Sequence, residues 1–203
     1  MARHFTLRLA LPFALLAAVV FMLLVSFLVD IRKEREAVLD RVRDDAVLTA
    51  EHIARTAERG LSADPKGVAA DLAVASTEPQ LEVMLVVDSG AKVIVAQRLA
   101  WQGQAATQVV NDFSMERFQR VVRGNLPDVE VAPDLNRLSV MSPYVLGSND
   151  QNLRNQERGV TYVEYVLTRD YERVYWGAWQ RLLPQISIAV AMILVLMWQL
   201  RRQ

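Results

Sequence analysis

Val83-Met84-Leu85-Val86-Val87-Asp88-Ser89-Gly90-Ala91-Lys92-Val93-Ile94 is the stretch on which the fold turns. Two short runs rich in β-branched residues flank Ser89-Gly90-Ala91, a pattern that predicts a tight β-hairpin with strands over 81–88 and 92–98. Working towards the C-terminus, 114–123 returns to helical spacing, with Phe118, Val121 and Val122 as its buried stripe and Gly124 as its stop. Three further strands follow over 128–132, 137–145 and 160–168. Between the last two, 147–158 is dense in Asn and Gln and reads as an exposed hairpin loop.

Working towards the N-terminus, 62–67 is a loop and 68–75 a short helix closed by Glu78-Pro79. From 30 to 59 there is neither glycine nor proline, and Ile31, Val38, Val42, Ala46, Ala50, Ile53 and Ala57 recur at spacings of mostly three, four and seven. That is one long helix with a solvated opposite face, to which His52 belongs, and Gly60 ends it. Helices at the ends of or between hairpin-linked strands make an α+β domain on an antiparallel sheet.

Two uncharged apolar runs enclose this domain, 9–29 and 182–200. At a rise of 1.5 Å per residue they are about 31 and 28 Å long, close to the roughly 30 Å hydrocarbon core of a bilayer. The first is longer than the apolar core of a secretory signal, and Phe27-Leu28-Val29 offers no small-residue cleavage site, so an uncleaved anchor is expected. Around the second, Tyr175, Trp176, Trp179 and Trp198 stand where amphipathic rings settle at headgroup level, and Arg181 and Arg201-Arg202 bracket the span. A two-span chain places both termini on one side; both short basic ends are assigned to the cytoplasm and the domain to the outside.

The formal net charge is zero and no basic block exists that would neutralise a row of phosphates, which argues against a nucleic-acid partner. The absence of cysteine removes disulfides, thiolate nucleophiles and cysteine metal sites together. No Gly-x-Ser-x-Gly, Walker or His-Glu-x-x-His motif occurs, and of the two histidines His4 abuts the first apolar run. Asp128 and Glu130 are expected on a solvated strand face rather than as a catalytic pair. Neither catalysis nor a cofactor is expected within this chain.

The helix 30–59, the hairpin quoted above, the strand 138–145 and the last strand Gly159-Val160-Thr161-Tyr162-Val163-Glu164-Tyr165 feeding the second apolar run carry a resemblance. Together they resemble a bacterial transmembrane receptor input region with a single extracytoplasmic PAS-like domain of the Cache, or PDC, type. The resemblance covers nearly the whole chain and implies a five-stranded antiparallel sheet with a long N-terminal helix, flanked by two transmembrane helices. It implies sensing of a small molecule and transmission to a histidine kinase, a chemoreceptor helix bundle or a cyclic-di-GMP module, none of whose motifs occurs in the sequence. The expected organisation is a cytoplasmic end 1–8, a span 9–29, a periplasmic domain 30–168, an exit helix 169–181, a second span 182–200 and a cytoplasmic end 201–203. The output module is expected outside the chain, either missing from it or supplied by a partner protein.

In PAS-like domains the ligand lies between the sheet and the connection that covers it, here 99–126. Arg98 and Trp101 stand at a strand exit, Tyr144 ends one strand, and Tyr162 and Glu164 share one face of another. These five residues form the candidate ligand site: Arg98 to hold an anion, Glu164 as a counter-charge, and the rings as walls, suiting either an amine or a carboxylate. The competing reading makes Trp101 a plug of the sheet edge, the tyrosines core residues and Arg98 a solvated edge charge. The expected partners are the lipid bilayer, a small-molecule ligand or a periplasmic protein, a second copy packed along the 31–57 stripe in a homodimer, and a cytoplasmic output. A membrane-anchored interaction module without signalling output is the alternative reading.

Overall fold

The computed structural model describes residues 2–61, 64–146 and 157–202. Its elements are α1 (Ala2–Gly60), α2 (Pro65–Ala75), β1 (Leu81–Val87), β2 (Val93–Ala96), a 3-10 turn (Leu99–Trp101), α3 (Ala106–Val109), α4 (Met115–Gly124), β3 (Asp128–Val131), β4 (Arg137–Leu146), β5 (Glu157–Val166) and α5 (Thr168–Arg202). Leu39–Arg169 form one compact unit, and the parts of α1 and α5 beyond it form the other.

In the first unit the five strands form one antiparallel sheet in the order β2-β1-β5-β4-β3, which puts the last strand in the centre. The hairpin forms as read. Asp88 Oδ1 accepts the Gly90 and Lys92 amides at 2.9 and 2.8 Å, and the Ala91 amide reaches the Asp88 carbonyl at 3.0 Å. The residue after that turn takes a left-handed conformation, and it is Ala91, at φ 61°, rather than the neighbouring glycine.

One face of the sheet meets α1. Val42, Ala46, Ala50, Ile53 and Ala57 are buried, as their spacing predicts. The alanines bring the helix backbone close enough for the Thr161 hydroxyl on β5 to donate to the Ala50 carbonyl at 3.0 Å. The other face is covered by the chain from the 3-10 turn to α4, whose Ala106, Val110, Phe113, Phe118 and Val121 pack on Leu85, Val87, Met141, Val160 and Tyr162. The 3-10 turn and α3 were not expected; at three and four residues they are too short to show a period.

Two boundaries differ from the sequence reading. Helix α2 begins at Pro65 rather than 68, because Asp64 caps it by accepting the Gly67 amide at 3.0 Å and proline suits a first helical position. Most of the expected loop 147–158 lies outside the described residues. Its last two residues, Glu157 and Arg158, belong to β5, since the ladder with β4 continues to Leu146↔Glu157 regardless of their polarity. Glu130 is exposed and Asp128 half-buried, and both are paired: Arg117 of α4, only 6% exposed, reaches Asp128 Oδ2 at 2.8 Å and Glu130 Oε2 at 2.6 Å and donates to Ser139 Oγ at 2.9 Å. This guanidinium fastens α4 to β3 and β4.

The second unit consists of helix. Phe27 and Trp179 pack edge to face at 5.7 Å, the Arg35 guanidinium lies 4.3 Å from the Tyr171 ring centre, and Glu34 pairs with Arg181. Among the described residues one helical segment, Thr168–Val195, is long and apolar enough to cross a membrane, with a mean hydropathy of 1.4. The expected exit helix and second span are therefore one uninterrupted helix, with Pro184 inside it. The expected first span lies within α1.

Gly159 of β5 has no room for a side chain. A Cβ there would overlap both the Tyr144 hydroxyl and the Val87 carbonyl oxygen, which are hydrogen-bonded across it at 2.9 Å. Gly159→Ala should therefore cost about 1–3 kcal/mol by overpacking, against about 1 kcal/mol for Tyr144→Phe, which removes one hydrogen bond. Urea unfolding checks this order, and an alanine variant as stable as the parent would contradict the packing described.

Candidate functional site

A cavity of about 190 Å³ opens where β1, β5 and β4 meet the connection between β2 and α4. Its walls are Glu82 and Val83 of β1, Arg98 and Trp101 after β2, the segment Val109-Val110-Asn111-Asp112, Arg137 at the start of β4, and Glu164 of β5. Three of the five expected residues, Arg98, Trp101 and Glu164, thus line one space. Tyr162 stands directly beneath, donating its hydroxyl to Glu164 Oε2 at 3.0 Å with its ring 5.7 Å from that of Phe113.

Tyr144 is not with them. The register pairs it with Gly159, and alternation along β5 puts that position on the α1 side with Thr161 and Tyr165, while Tyr162 and Glu164 face the cavity. Its ring crosses Gly159 and its hydroxyl donates to Val87, so it staples strands together on the far face. Burial and the nearby Asp88 push this hydroxyl above the usual tyrosine range.

Glu164 is the unusual group. It is 5% exposed. Burial pushes its carboxyl above the ordinary glutamate value, the Tyr162 hydrogen bond and the Arg137 charge pull it down, and Glu82 and Asp112 push it up again, leaving it raised. Arg137 lies 2.9 Å from Asp112 and 3.6 Å from Glu164, and the neighbouring carboxylates, Asp112 above all, raise its own affinity for a proton. Tyr162 is held protonated, chiefly by burial and by the Glu164 charge. The Arg98 guanidinium sits 4.7 Å from the Trp101 ring centre, within cation–π range.

Glu82, Asp112 and Arg137 were not anticipated as site residues. Arg137 had a legible signal, since a β4–β5 hairpin pairs it with Val166 beside Glu164. Asp112 had none, because the turn that presents it follows an unrecognised four-residue helix. Glu82 had none either. Strict alternation puts it on the opposite face from Val83, but the β1–β5 register shifts between Leu81 and Val83, and both residues line the cavity.

A larger cavity, about 450 Å³, lies on the other face of the sheet among Asp45, Leu48, Thr49, Glu78, Pro79, Gln80 and Tyr165. Tyr165 donates to Glu78 at 3.0 Å and lies 3.2 Å from the Thr49 hydroxyl, and burial pushes its own hydroxyl up to about 12. Among the described residues this cavity has no guanidinium and no aromatic ring besides that of Tyr165, whereas the smaller one has two guanidiniums and Trp101. Among the described residues no group of three or more Asp, Glu or His is placed to hold a metal.

No protein-family model and no curated protein matches the sequence. Among solved structures, the crystal structure of the E. coli DcuS sensor domain is similar over 66% of this chain and 96% of that one, at 20% identity and a TM-score of 0.42. An extracellular ligand binding receptor from Desulfohalobium retbaense DSM5692 is similar over 73% of this chain and 26% of that one, at 13% identity and a TM-score of 0.43. At these values the chemistry of the site has to be read from this chain's own residues.

The raised Glu164 has a consequence for stability. A carboxyl that takes up its proton more readily in the folded state contributes most below the unfolded value of 4.5, and that contribution is lost as pH rises through its folded value. Glu164→Gln, neutral throughout, does not lose it. Between pH 4 and 8 the parent's apparent Tm should therefore fall relative to that of Glu164→Gln, with the two converging at the acid end. Parallel curves would show that Glu164 ionises as an ordinary surface glutamate does.

Proposed function

We propose that this chain is the membrane-anchored input region of a bacterial signalling protein, binding a small molecule in the cavity around Glu164 and passing the event to the helices. The observation that carries the reading is the placement of Glu164. The buried carboxylate of a mixed-charge cavity belongs to the central strand, and that strand is followed, after Leu167 alone, by α5, whose Thr168–Val195 segment has the length and apolarity of a membrane span. Anything that changes the environment of Glu164 acts on the strand feeding that helix.

The transmembrane part of the proposal uses 9–29 and 182–200 as spans, with Tyr175, Trp176, Trp179 and Trp198 at the interfaces. All four rings are substantially exposed, as side chains that meet lipid headgroups must be. In the helical unit, Glu34–Arg181 and Arg35–Tyr171 tie α1 to α5 by polar and cation–π contacts rather than by close packing alone. Such contacts exchange partners when one helix slides or turns by an ångström or two, the scale of movement by which packed helices switch between two states. A ligand drives this only to the extent that it prefers one arrangement. The output would be a kinase, chemoreceptor or cyclic-di-GMP module beyond this chain or on a partner, with a homodimer as the working assembly.

The test uses the full chain in nanodiscs. Because the sequence has no cysteine, Lys33→Cys with Arg173→Cys gives a clean pair of spin-label sites on α1 and α5. Compounds found by thermal shift in a metabolite panel should change the label separation by about 1–2 Å, and Trp101→Ala should abolish both the thermal shift and the distance change. Binding that survives Trp101→Ala places the ligand elsewhere; binding without any distance change points to a tethered binding module that does not signal through these helices.

A further inference from the structure

The cavity's own charges choose between the two ligand classes that the sequence leaves open, an amine and a carboxylate, a choice that rests on the sensing role proposed for this site. Three carboxylates, Glu82, Asp112 and Glu164, face two guanidiniums, Arg98 and Arg137. Arg137 is committed to Asp112, at 2.9 Å, and only approaches Glu164, at 3.6 Å, beyond hydrogen-bond reach. Tyr162 satisfies Glu164 Oε2, while Oε1 of this nearly buried carboxylate faces the cavity with the Arg137 guanidinium as its ion-pair partner.

Glu82 makes the arrangement more pointed. The register shift between Leu81 and Val83 inserts it as an extra residue opposite β5, where Val83 pairs with Glu164, and directs it into the same cavity. An ordinary strand would have kept these carboxylates on opposite faces. The bulge instead sets like charges on adjacent strands, which is unfavourable in an empty site, and among the described residues Glu82 forms no ion pair. An entering anion would add a fourth negative charge. An entering cation would neutralise the pair.

We propose that the cavity takes a small organic cation, a primary ammonium or an amidinium, seated between Glu82 and Glu164 against the ring of Trp101. The ring already receives a cation, since the Arg98 guanidinium lies over it at 4.7 Å without a carboxylate of its own among the described residues. Arg98 occupies the place at the cavity mouth that the ligand's charged or hydrocarbon end takes over. A cavity of about 190 Å³ suits a short chain, and Val83, Val109 and Val110 give it an apolar wall.

The experiment is titration calorimetry on the full chain in nanodiscs of zwitterionic phosphatidylcholine, which do not themselves attract amines, at pH 7.5. n-Butylamine and putrescine are the cationic probes, butyrate and succinate the anionic ones. At least one amine should bind saturably, weaken tenfold or more in Glu82→Gln and in Trp101→Ala, and leave no counterpart among the anions. Glu82 is on the surface, and unchanged circular dichroism of Glu82→Gln shows that its fold is kept. Amine binding indifferent to Glu82→Gln overturns the proposal. So does succinate or butyrate binding that Arg98→Ala abolishes, although the cavity would then remain a sensing site. Silence of all four probes overturns both readings.

Discussion

Strand β5 is buried on both faces, and the rest of the domain depends on that. As the central strand it pairs with β1 on one side and β4 on the other, so its backbone is fixed by two ladders. Its side chains are then divided by the period of two. Thr161 and Tyr165 point to α1, where they bond Ala50 and Thr49, while Tyr162 and Glu164 point to the cavity. A slip by one residue would exchange the two sets, putting Glu164 against the alanine stripe of α1. The burial of this carboxylate is therefore a consequence of the topology, and its local surroundings determine what the burial is used for.

Those surroundings combine compensation and conflict. Tyr162 and Arg137 favour the ionised form of Glu164; burial, Glu82 and Asp112 oppose it. Glu82, exposed at the cavity's edge, is brought round by a bulge to the side of that carboxylate. Arg117 provides the contrast in the same domain. It too is buried, but its guanidinium is satisfied by Asp128, Glu130 and Ser139, and it joins α4 to the sheet without facing open space. Contacts of that kind hold a fold together.

Long periodic elements were readable from the residues alone. The stripe from Val42 to Ala57 placed the long helix against the sheet, and all five strands appear within a few residues of their expected limits. The site was half readable. Arg98, Trp101, Tyr162 and Glu164 come together because short-range spacing and strand alternation suffice to place them. Tyr144 went astray because facing depends on its register against Gly159, a long-range pairing that a single strand's pattern does not contain. Glu82 escaped notice because a bulge breaks the alternation on which such inference rests, and Asp112 because short turns carry no period.

The ligand class proposed for this cavity depends on whether Glu164 is electrically coupled to Glu82 inside the domain. Selective ¹³C labelling of glutamate carboxyls, followed by NMR titration of the full chain in nanodiscs, reads that coupling directly, with Glu164→Gln assigning the resonance. Glu164 is predicted to titrate above the ordinary glutamate value of 4.5 and to move down towards it in Glu82→Gln. A Glu164 that titrates at the ordinary value, unmoved by Glu82→Gln, would contradict the coupling and the ligand class drawn from it.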